Sequence, residues 1–324
     1  MSAVLMEIGK EKALVLYERM VGSRKFEERI RYLFLEGIMP GTIHQSDGQE
    51  ATAVGVCAAL DDGDIIASTH RPHAHAVAKG LSYREMMAEL FGKATGCCHG
   101  KGGSMHIGNI HKGMLPAIAI TGGNLPIVAG LGLAFKLKKE SRVAVSFFGD
   151  GSSNEGTFHE ALNFAAMYSL PCLFVCENNL YGASTPISMT VKVESISSRA
   201  AAYGMEGVRI DGNDVLAVYS TAKRLVDNAR AGGGPSLLEL QTYRRCGHSR
   251  RDAKAYMDKD EMAYWLERDP IIIYRDLLTA DEFVSPTELE AITKAVDVEI
   301  EEAVEYALCS PDPRPEDALQ DVFS

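Results

Sequence analysis

Two short polar stretches carry the clearest chemistry in this sequence. Gly149-Asp150-Gly151 breaks an apolar run from Arg142 to Phe148, and Asn178-Asn179 closes a second run from Cys172 to Cys176. Asp150 and Asn179 lie 29 residues apart, about the length of one strand–helix–strand crossover. A bare aspartate repels a phosphate, but a magnesium ion between them reverses the sign. Magnesium takes oxygen ligands in a near-octahedral set and is usually shared between one or two carboxylates and substrate phosphates. Asp150 supplies a charged oxygen and Asn179 a neutral one, so the site is not overcharged against a polyanion. Gly151 lets the backbone approach a phosphate, and the helix that follows offers free amides and a positive dipole end. The pair predicts a metal-bridged diphosphate.

The elements that must position this pair follow from hydrophobic period. Arg142 to Phe148, rich in valine and phenylalanine, reads as a buried strand. From Asn154 the period becomes helical, with Phe158, Leu162, Ala165 and Ala166 on one face. Pro171 then ends a turn before the second strand. Ligands of such units sit at the carboxyl ends of the strands, so Asp150 and Asn179 should share one edge. Further strands are expected at Ile65 to Thr69, Gly207 to Ile210 and Leu237 to Leu240. Amphipathic helices are expected over 10–36, 81–92, 125–138, 215–231, 259–278 and 286–309. Shorter ones fit 51–60 and 198–203. Gly130 and Gly132 inside a helix cost stability, which suggests a close backbone contact there, with another subunit. The stretch Ser310 to Pro315 reads as an extended, partner-contacting tail. The fold class is α/β, an open, mainly parallel sheet with helices on both faces. It forms one domain over 1–324, with an N-terminal helix and a C-terminal helical extension.

Competing phosphate signatures fail. Residues 149–154 lack the third glycine of a dinucleotide fingerprint. Gly96 to Gly102 looks like a nucleotide phosphate loop, but is one residue short and has glycine where Ser or Thr must bind metal. Cys97-Cys98-His99 has no second ligand pair at zinc spacing. In His70-Arg71-Pro72-His73-Ala74-His75 the three histidines lack the carboxylate or cysteine such a metal site normally adds. Arg71 suits a diphosphate, because a guanidinium clamps phosphate through two parallel hydrogen bonds. The neighbouring histidines can donate hydrogen bonds or move protons near neutral pH. Residues 95–124 form a glycine-rich stretch, and loops this long are usually functional. Arg244, Arg245, Arg250 and Arg251 cluster in an otherwise acidic protein.

Composition narrows the function. The chain has 324 residues and a net charge of −11, with no long basic run. Nucleic acid and anionic membrane are therefore excluded as main partners. No apolar stretch reaches transmembrane length, and the N-terminus lacks a basic-then-apolar signal pattern. Seven cysteines, an odd number, argue against a disulfide framework and for a reducing cytoplasm.

The GDG and NN stretches, at this spacing, are similar to the thiamine diphosphate motif. Their surroundings, FFGDGSSNEGTFHEALNFAA and LPCLFVCENNLYGASTP, resemble the alpha subunit of the thiamine-dependent first component of 2-oxo acid and acetoin dehydrogenase complexes. GKGGSMH at 100–106 and LELQTYR at 238–244 are further blocks of the resemblance, which runs from about Tyr17 to the C-terminal helix. The histidine block is closer to the His-Arg-Gly-His-Gly-His pattern of acetoin-type subunits than to the tyrosine-arginine form of mitochondrial pyruvate enzymes. Here Pro72 and Ala74 replace its two glycines.

The resemblance implies thiamine diphosphate and magnesium as cofactors. It implies Asp150, Asn179 and the backbone of Tyr181 at the metal. Around the phosphates it implies His70, Arg71, Gly151, Ser152, Arg244 and His248, and the remaining arginines of 245–251 would order their loop once diphosphate binds. His44 matches a histidine that faces the active site. The proton-transfer candidates are His44, His70, His73 and His248. Gly102-Gly103-Ser104 should run close to the cofactor. Ala119 and Thr121 match positions whose backbone holds the aminopyrimidine, but Ile118 replaces an asparagine and 116–121 departs from the family pattern.

The implied reaction cleaves a carbon–carbon bond beside a carbonyl of a small substrate. The cofactor acts as an electron sink, and the acyl group passes to a lipoyl-bearing acyltransferase. The family's activating glutamate comes from a beta subunit, so the chain is expected to hold half an active site in a two-alpha, two-beta heterotetramer. Acetoin is the expected substrate. Pyruvate or a branched-chain 2-oxo acid is the alternative, and an idle cofactor-binding subunit is a third reading motivated by residues 116–121.

Overall fold

Five parallel strands form the centre of the computed structural model, which describes residues 3–321. They are β1 (Ile65–Ala67), β2 (Ala144–Gly149), β3 (Cys172–Asn178), β6 (Glu206–Asp211) and β7 (Ser236–Gln241). Their order is β1-β2-β3-β7-β6, every neighbouring pair parallel. A two-stranded antiparallel ribbon, β4 (Tyr181–Gly182) and β5 (Thr185–Pro186), follows β3.

Side chains alternate across the sheet with period two. Val145, Phe147, Leu173, Val175, Leu238 and Leu240 join the core on one face. Ala144, Phe148, Cys172, Phe174, Cys176 and Leu237 join the core on the other. The first face is covered by α1 (Ala3–Leu35), α2 (Glu50–Cys57), α3 (His73–Ala78), α4 (Tyr83–Leu90) and α7 (Val215–Arg230), with α9 (Pro270–Thr279) and α10 (Pro286–Cys309) beyond them. The second face is covered by α5 (Asn124–Lys138), α6 (Gly156–Met167) and a 3-10 segment over Ile196–Tyr203. Completely buried aromatics such as Phe147 and Phe158 each contribute roughly 1.5–3 kcal/mol through burial. The expected fold class stands, with apolar runs on β1, β2, β3 and β7, where both faces are covered, while the edge strand β6 carries Glu206, Arg209 and Asp211.

Local chemistry shifted several boundaries. The helix expected over 259–278 is two helices, α8 (Lys259–Glu267) and α9. Asp269 accepts from the amides of Ile271 and Ile272, and Pro270 occupies the first turn. A capping carboxylate followed by proline starts a helix rather than continuing one. Residues 150–154 form a 3-10 turn, so α6 begins at Gly156 and not at Asn154. His73 and His75, read as loop, lie on α3. Gly132 packs its Cα face on Cys172 Sγ within the chain, while Gly130 faces open space, so the close contact is internal at one of the two glycines. The C-terminal stretch docks on its own chain: the Pro311 carbonyl accepts from the Ala94 amide at 3.0 Å, and Ser310 Oγ lies 2.7 Å from Thr95 Oγ1.

Candidate active site

A cavity of about 420 Å³ opens at the carboxyl ends of the central strands. Each strand delivers its contribution where its regular pairing ends. Thr69, His70 and Arg71 come after β1, Gly149 to Ser152 from the end of β2, Glu177 and Asn179 from β3, and Arg244 and His248 from the segment after β7. The loop before α5 adds Ile118, Ile120 and Thr121. Asp150 and Asn179 therefore share one edge, as parallel pairing of β2 with β3 requires.

Asp150 is the exceptional group. Its side chain is 1 % exposed, and Oδ2 is buried without a hydrogen-bond partner. Burial pushes its carboxyl up to about 6, against the pull of Arg244 and Arg71. A buried carboxylate oxygen with no donor is costly, and a cation is the partner that such a group lacks. Asn179 lies beside it with Oδ1 accepting only a long contact from the Tyr181 amide, 3.4 Å. Its Nδ2 donates to Gln49 Oε1 at 3.0 Å, which fixes the amide so that Oδ1 is the free end. Opposite, Gly151 and Gly182 face each other, and a Cβ on Gly151 would stand 3.3 Å from the Gly182 Cα. The residues present thus fit a divalent cation bound to a diphosphate: one charged oxygen, one neutral oxygen, and glycine-lined backbone.

Two buried arginines flank this set. Arg71 is 5 % exposed and donates from Nη1 to the Gln45 carbonyl at 2.7 Å and from Nη2 to the His248 carbonyl at 2.8 Å. Burial and the nearby Arg244 lower it to about 10. Arg244, 1 % exposed, donates to the carbonyls of Tyr181, Ala183 and Cys246 and to the Tyr256 hydroxyl. Both arginines therefore tie backbone segments together, and both add positive charge to the cavity wall.

Three histidines converge. The rings of His44, His70 and His248 stand 5.0, 5.0 and 5.5 Å apart, centroid to centroid. Burial, then the charge of Arg71, lowers His44 to about 4 and His248 to about 4, and the same causes drive His70 lower still. All three are neutral imidazoles near pH 7, so each has a ring nitrogen able to accept a proton.

Other sequence candidates lie elsewhere. His73 is fully buried outside the cavity wall, with Nδ1 3.0 Å from Glu27 Oε1 and Nε2 3.1 Å from Ser104 Oγ. The residue sits on α3, where positions 73 and 75 point to different sides, so the three neighbouring histidines cannot converge on one ion. His75 instead reaches Ser68 Oγ at 2.8 Å and Glu177 Oε1 at 3.3 Å. Ser152 and Thr121 line the cavity, whereas Ala119 does not. The metal contribution expected of Tyr181 is its carbonyl, which here accepts from Arg244 Nη1 at 3.2 Å. Ser104 reaches the site only through His73.

Sequence reasoning missed Gln49, Glu177 and Glu89. Gln49 and Glu177 line the cavity. Gln49 lies in the Gly-Gln-Glu helix start, and Glu177 directly precedes the Asn-Asn pair, so proximity to both motifs was the available signal. Glu89 has no such signal. Its fully buried carboxylate accepts from the amides of Cys98, Gly100, Gly102 and Gly103 at 2.7 to 3.0 Å, and so shapes the glycine-rich stretch.

An open parallel sheet that gathers an unpartnered carboxylate, an amide, two arginines and three neutral histidines at its carboxyl edge defines an α/β enzyme core. Residues 18–316 match the family described as dehydrogenase E1 component, and the chain belongs to that family. It is 48 % identical over 319 residues to the alpha subunit of acetoin:2,6-dichlorophenolindophenol oxidoreductase of Bacillus subtilis, covering 98 % of this chain and 95 % of the relative. The corresponding subunit of Cupriavidus necator is 43 % identical over 98 % of this chain and 95 % of its own. The chloroplastic pyruvate dehydrogenase E1 component subunit alpha-3 of Arabidopsis thaliana is 42 % identical over 98 % of this chain and 76 % of its own. Among the described residues, no helix is long and apolar enough to cross a membrane.

Proposed function

We propose that this chain is the alpha subunit of a thiamine diphosphate- and magnesium-dependent dehydrogenase that cleaves acetoin. The observation that carries the cofactor reading is the buried, unpartnered Oδ2 of Asp150 beside Asn179. The similarity to acetoin:2,6-dichlorophenolindophenol oxidoreductase alpha subunits, 48 % and 43 % identical, supports acetoin. The pyruvate dehydrogenase relative at 42 % supports the 2-oxo acid alternative.

Asp150, Asn179 and the Tyr181 carbonyl would hold the cation. Gly151 and Ser152 would meet the phosphates, with Arg71 and Arg244 supplying positive charge behind them. The bound cofactor supplies an electron sink for the carbanion left by carbon–carbon cleavage. His70 and His248 line the cavity, with His44 in ring contact behind them, and the neutrality of all three near pH 7 suits them to accept a proton first. His73 acts one step removed, holding Ser104 against Glu27. Ile118, Ile120 and Thr121 wall the side where the aminopyrimidine and substrate would lie. The apolar Ile118 leaves recognition there to backbone and shape.

By the family resemblance, the carboxylate that activates the cofactor would come from a beta subunit rather than from this chain. A two-alpha, two-beta assembly in the cytoplasm, handing its acyl group to a lipoyl-bearing acyltransferase, completes the reading. Dye reduction by the chain co-purified with its beta partner, given magnesium and thiamine diphosphate, tests it. Acetoin should support reduction. Reduction only with pyruvate or a branched-chain 2-oxo acid moves the chain to the decarboxylating branch. Cofactor binding with no turnover on any of them favours an idle subunit.

A further inference from the structure

Of the four clustered arginines, only Arg244 faces the cofactor cavity. Arg245 and Arg250 line a second cavity of about 290 Å³ that shares no residue with the first. Arg24, Arg31 and Lys254 line it as well, so five cations converge there in a protein of net charge −11. Arg24 pairs with Glu50 and Asp269 and Arg245 with Asp269, yet each leaves its Nη2 buried without a partner, and Arg250 leaves its Nε in the same state. Three orphaned guanidinium nitrogens around one cavity is an arrangement that lacks an anion.

The acids of the wall do not fill that role. Asp252 is spent on the His248 amide, the Lys254 amide and the Tyr256 hydroxyl. Asp47 is pushed up to about 7 by burial and by Glu27 and Glu50, and so carries only part of its charge near neutral pH. Glu28 is exposed at the rim.

We infer that this second cavity binds a small phosphate group, held by Arg24, Arg245 and Arg250, with Arg31 and Lys254 at its mouth. Guanidinium forks match phosphate oxygens in charge and geometry. Because Cys246, Gly247 and Ser249 also line the cavity, the bound anion fixes the segment that carries His248 into the cofactor site. The arginines that no cofactor contact explains thereby gain a ligand of their own.

The test uses the alpha chain with its beta partner, saturated with magnesium and thiamine diphosphate so that the first cavity is filled. Inorganic phosphate is titrated calorimetrically, and tryptic cleavage after Arg250 and Arg251 is followed in parallel. One saturable site per alpha chain is expected, with slower cleavage at saturation. The double variant Arg31→Gln/Arg250→Gln should weaken phosphate at least ~10-fold, the scale of losing charge-assisted contacts, while cofactor affinity stays within twofold. Glu28→Gln, which removes a rim acid, should tighten it. No saturable binding, or equal binding by parent and double variant, overturns the inference. Loss of cofactor binding in the parent itself would count against the cofactor reading and not this one, because the difference between parent and Arg31→Gln/Arg250→Gln still reports phosphate in the second cavity.

Discussion

Arg71 Nη2 donates to the carbonyl of His248 at 2.8 Å, joining residues 177 positions apart in sequence. Its Nη1 holds the Gln45 carbonyl at the same time. This guanidinium is thus a clamp on the two segments that bring His44 and His248 to His70. Arg71→Met should cost about 3 kcal/mol, two charge-assisted bonds at roughly 1.5 kcal/mol each. It should also speed tryptic cleavage of 245–254. Urea unfolding and limited proteolysis measure both, and an unchanged cleavage rate would refute the clamp.

The clamp grips His248 chiefly by its backbone; Arg71 Nη2 also lies 3.3 Å from the imidazole Nδ1, which leaves Nε2 as the nitrogen for proton transfer. His248→Ala should therefore lower turnover ~100-fold, within the range of general acid–base contributions. Thiamine diphosphate affinity should change less than threefold. Fluorescence titration of the cofactor beside the dye-reduction rate separates the two. An unaltered rate removes His248 from proton transfer.

Asp150 carries opposite consequences for stability and function. Its unpartnered, buried carboxyl is a liability without a cation. Asp150→Asn should raise the melting temperature of the cofactor-free chain. It should also weaken magnesium-dependent cofactor binding at least ~100-fold, the upper end for loss of a metal-site contact. Scanning calorimetry with and without cofactor checks the crossing. A variant that binds cofactor as the parent does would displace Asp150 from the metal.

Glu89 organises residues 98–103 through four amides. Glu89→Ala leaves those half-buried amides without their acceptor, and should cost about 3 kcal/mol. Hydrogen exchange should show protection lost first at Cys98, Gly100, Gly102 and Gly103. Retained protection there would mean that the turn closes without its carboxylate.

Acid stability should follow the histidine cluster. His44 and His248 titrate near 4 in the fold because of burial and Arg71, against about 6.5 in an unfolded chain. The unfolded state then binds more protons below pH 6.5, so the contribution to stability is complete above 6.5 and is lost as pH falls toward 4. The cofactor-free chain should weaken across that window. The His44→Gln/His248→Gln pair should flatten the slope, and identical pH profiles for parent and variant would contradict the assignment.

Much of this molecule was legible in the linear sequence because its determinants are local. Four of the five sheet strands announced themselves as short apolar runs, and the edge strand β6 as the brief GVRI stretch. The acidic turn after β2 and the amide pair after β3 fall on one edge for a simple reason: parallel strands joined by a helix must end on the same side. Pro286 with Ser285 before it fixed the start of α10, since capping is settled within a few residues. The split at Asp269-Pro270 was written just as locally, and the amphipathic period on either side obscured it.

Tertiary structure alone decided what depends on distant partners. It placed His73 on Glu27 and Ser104, and left His44, 26 residues from His70, in ring contact with it. It gave Arg71 and Arg244 backbone carbonyls to hold at the cavity wall, because remote loops arrive within hydrogen-bond reach. It buried Glu89 under amides that lie 9 to 14 residues on. And it divided one run of arginines between two cavities. Residue type and local period set which groups are available; burial and the choice of partner, which fix charge state and role, exist only once the chain has closed on itself.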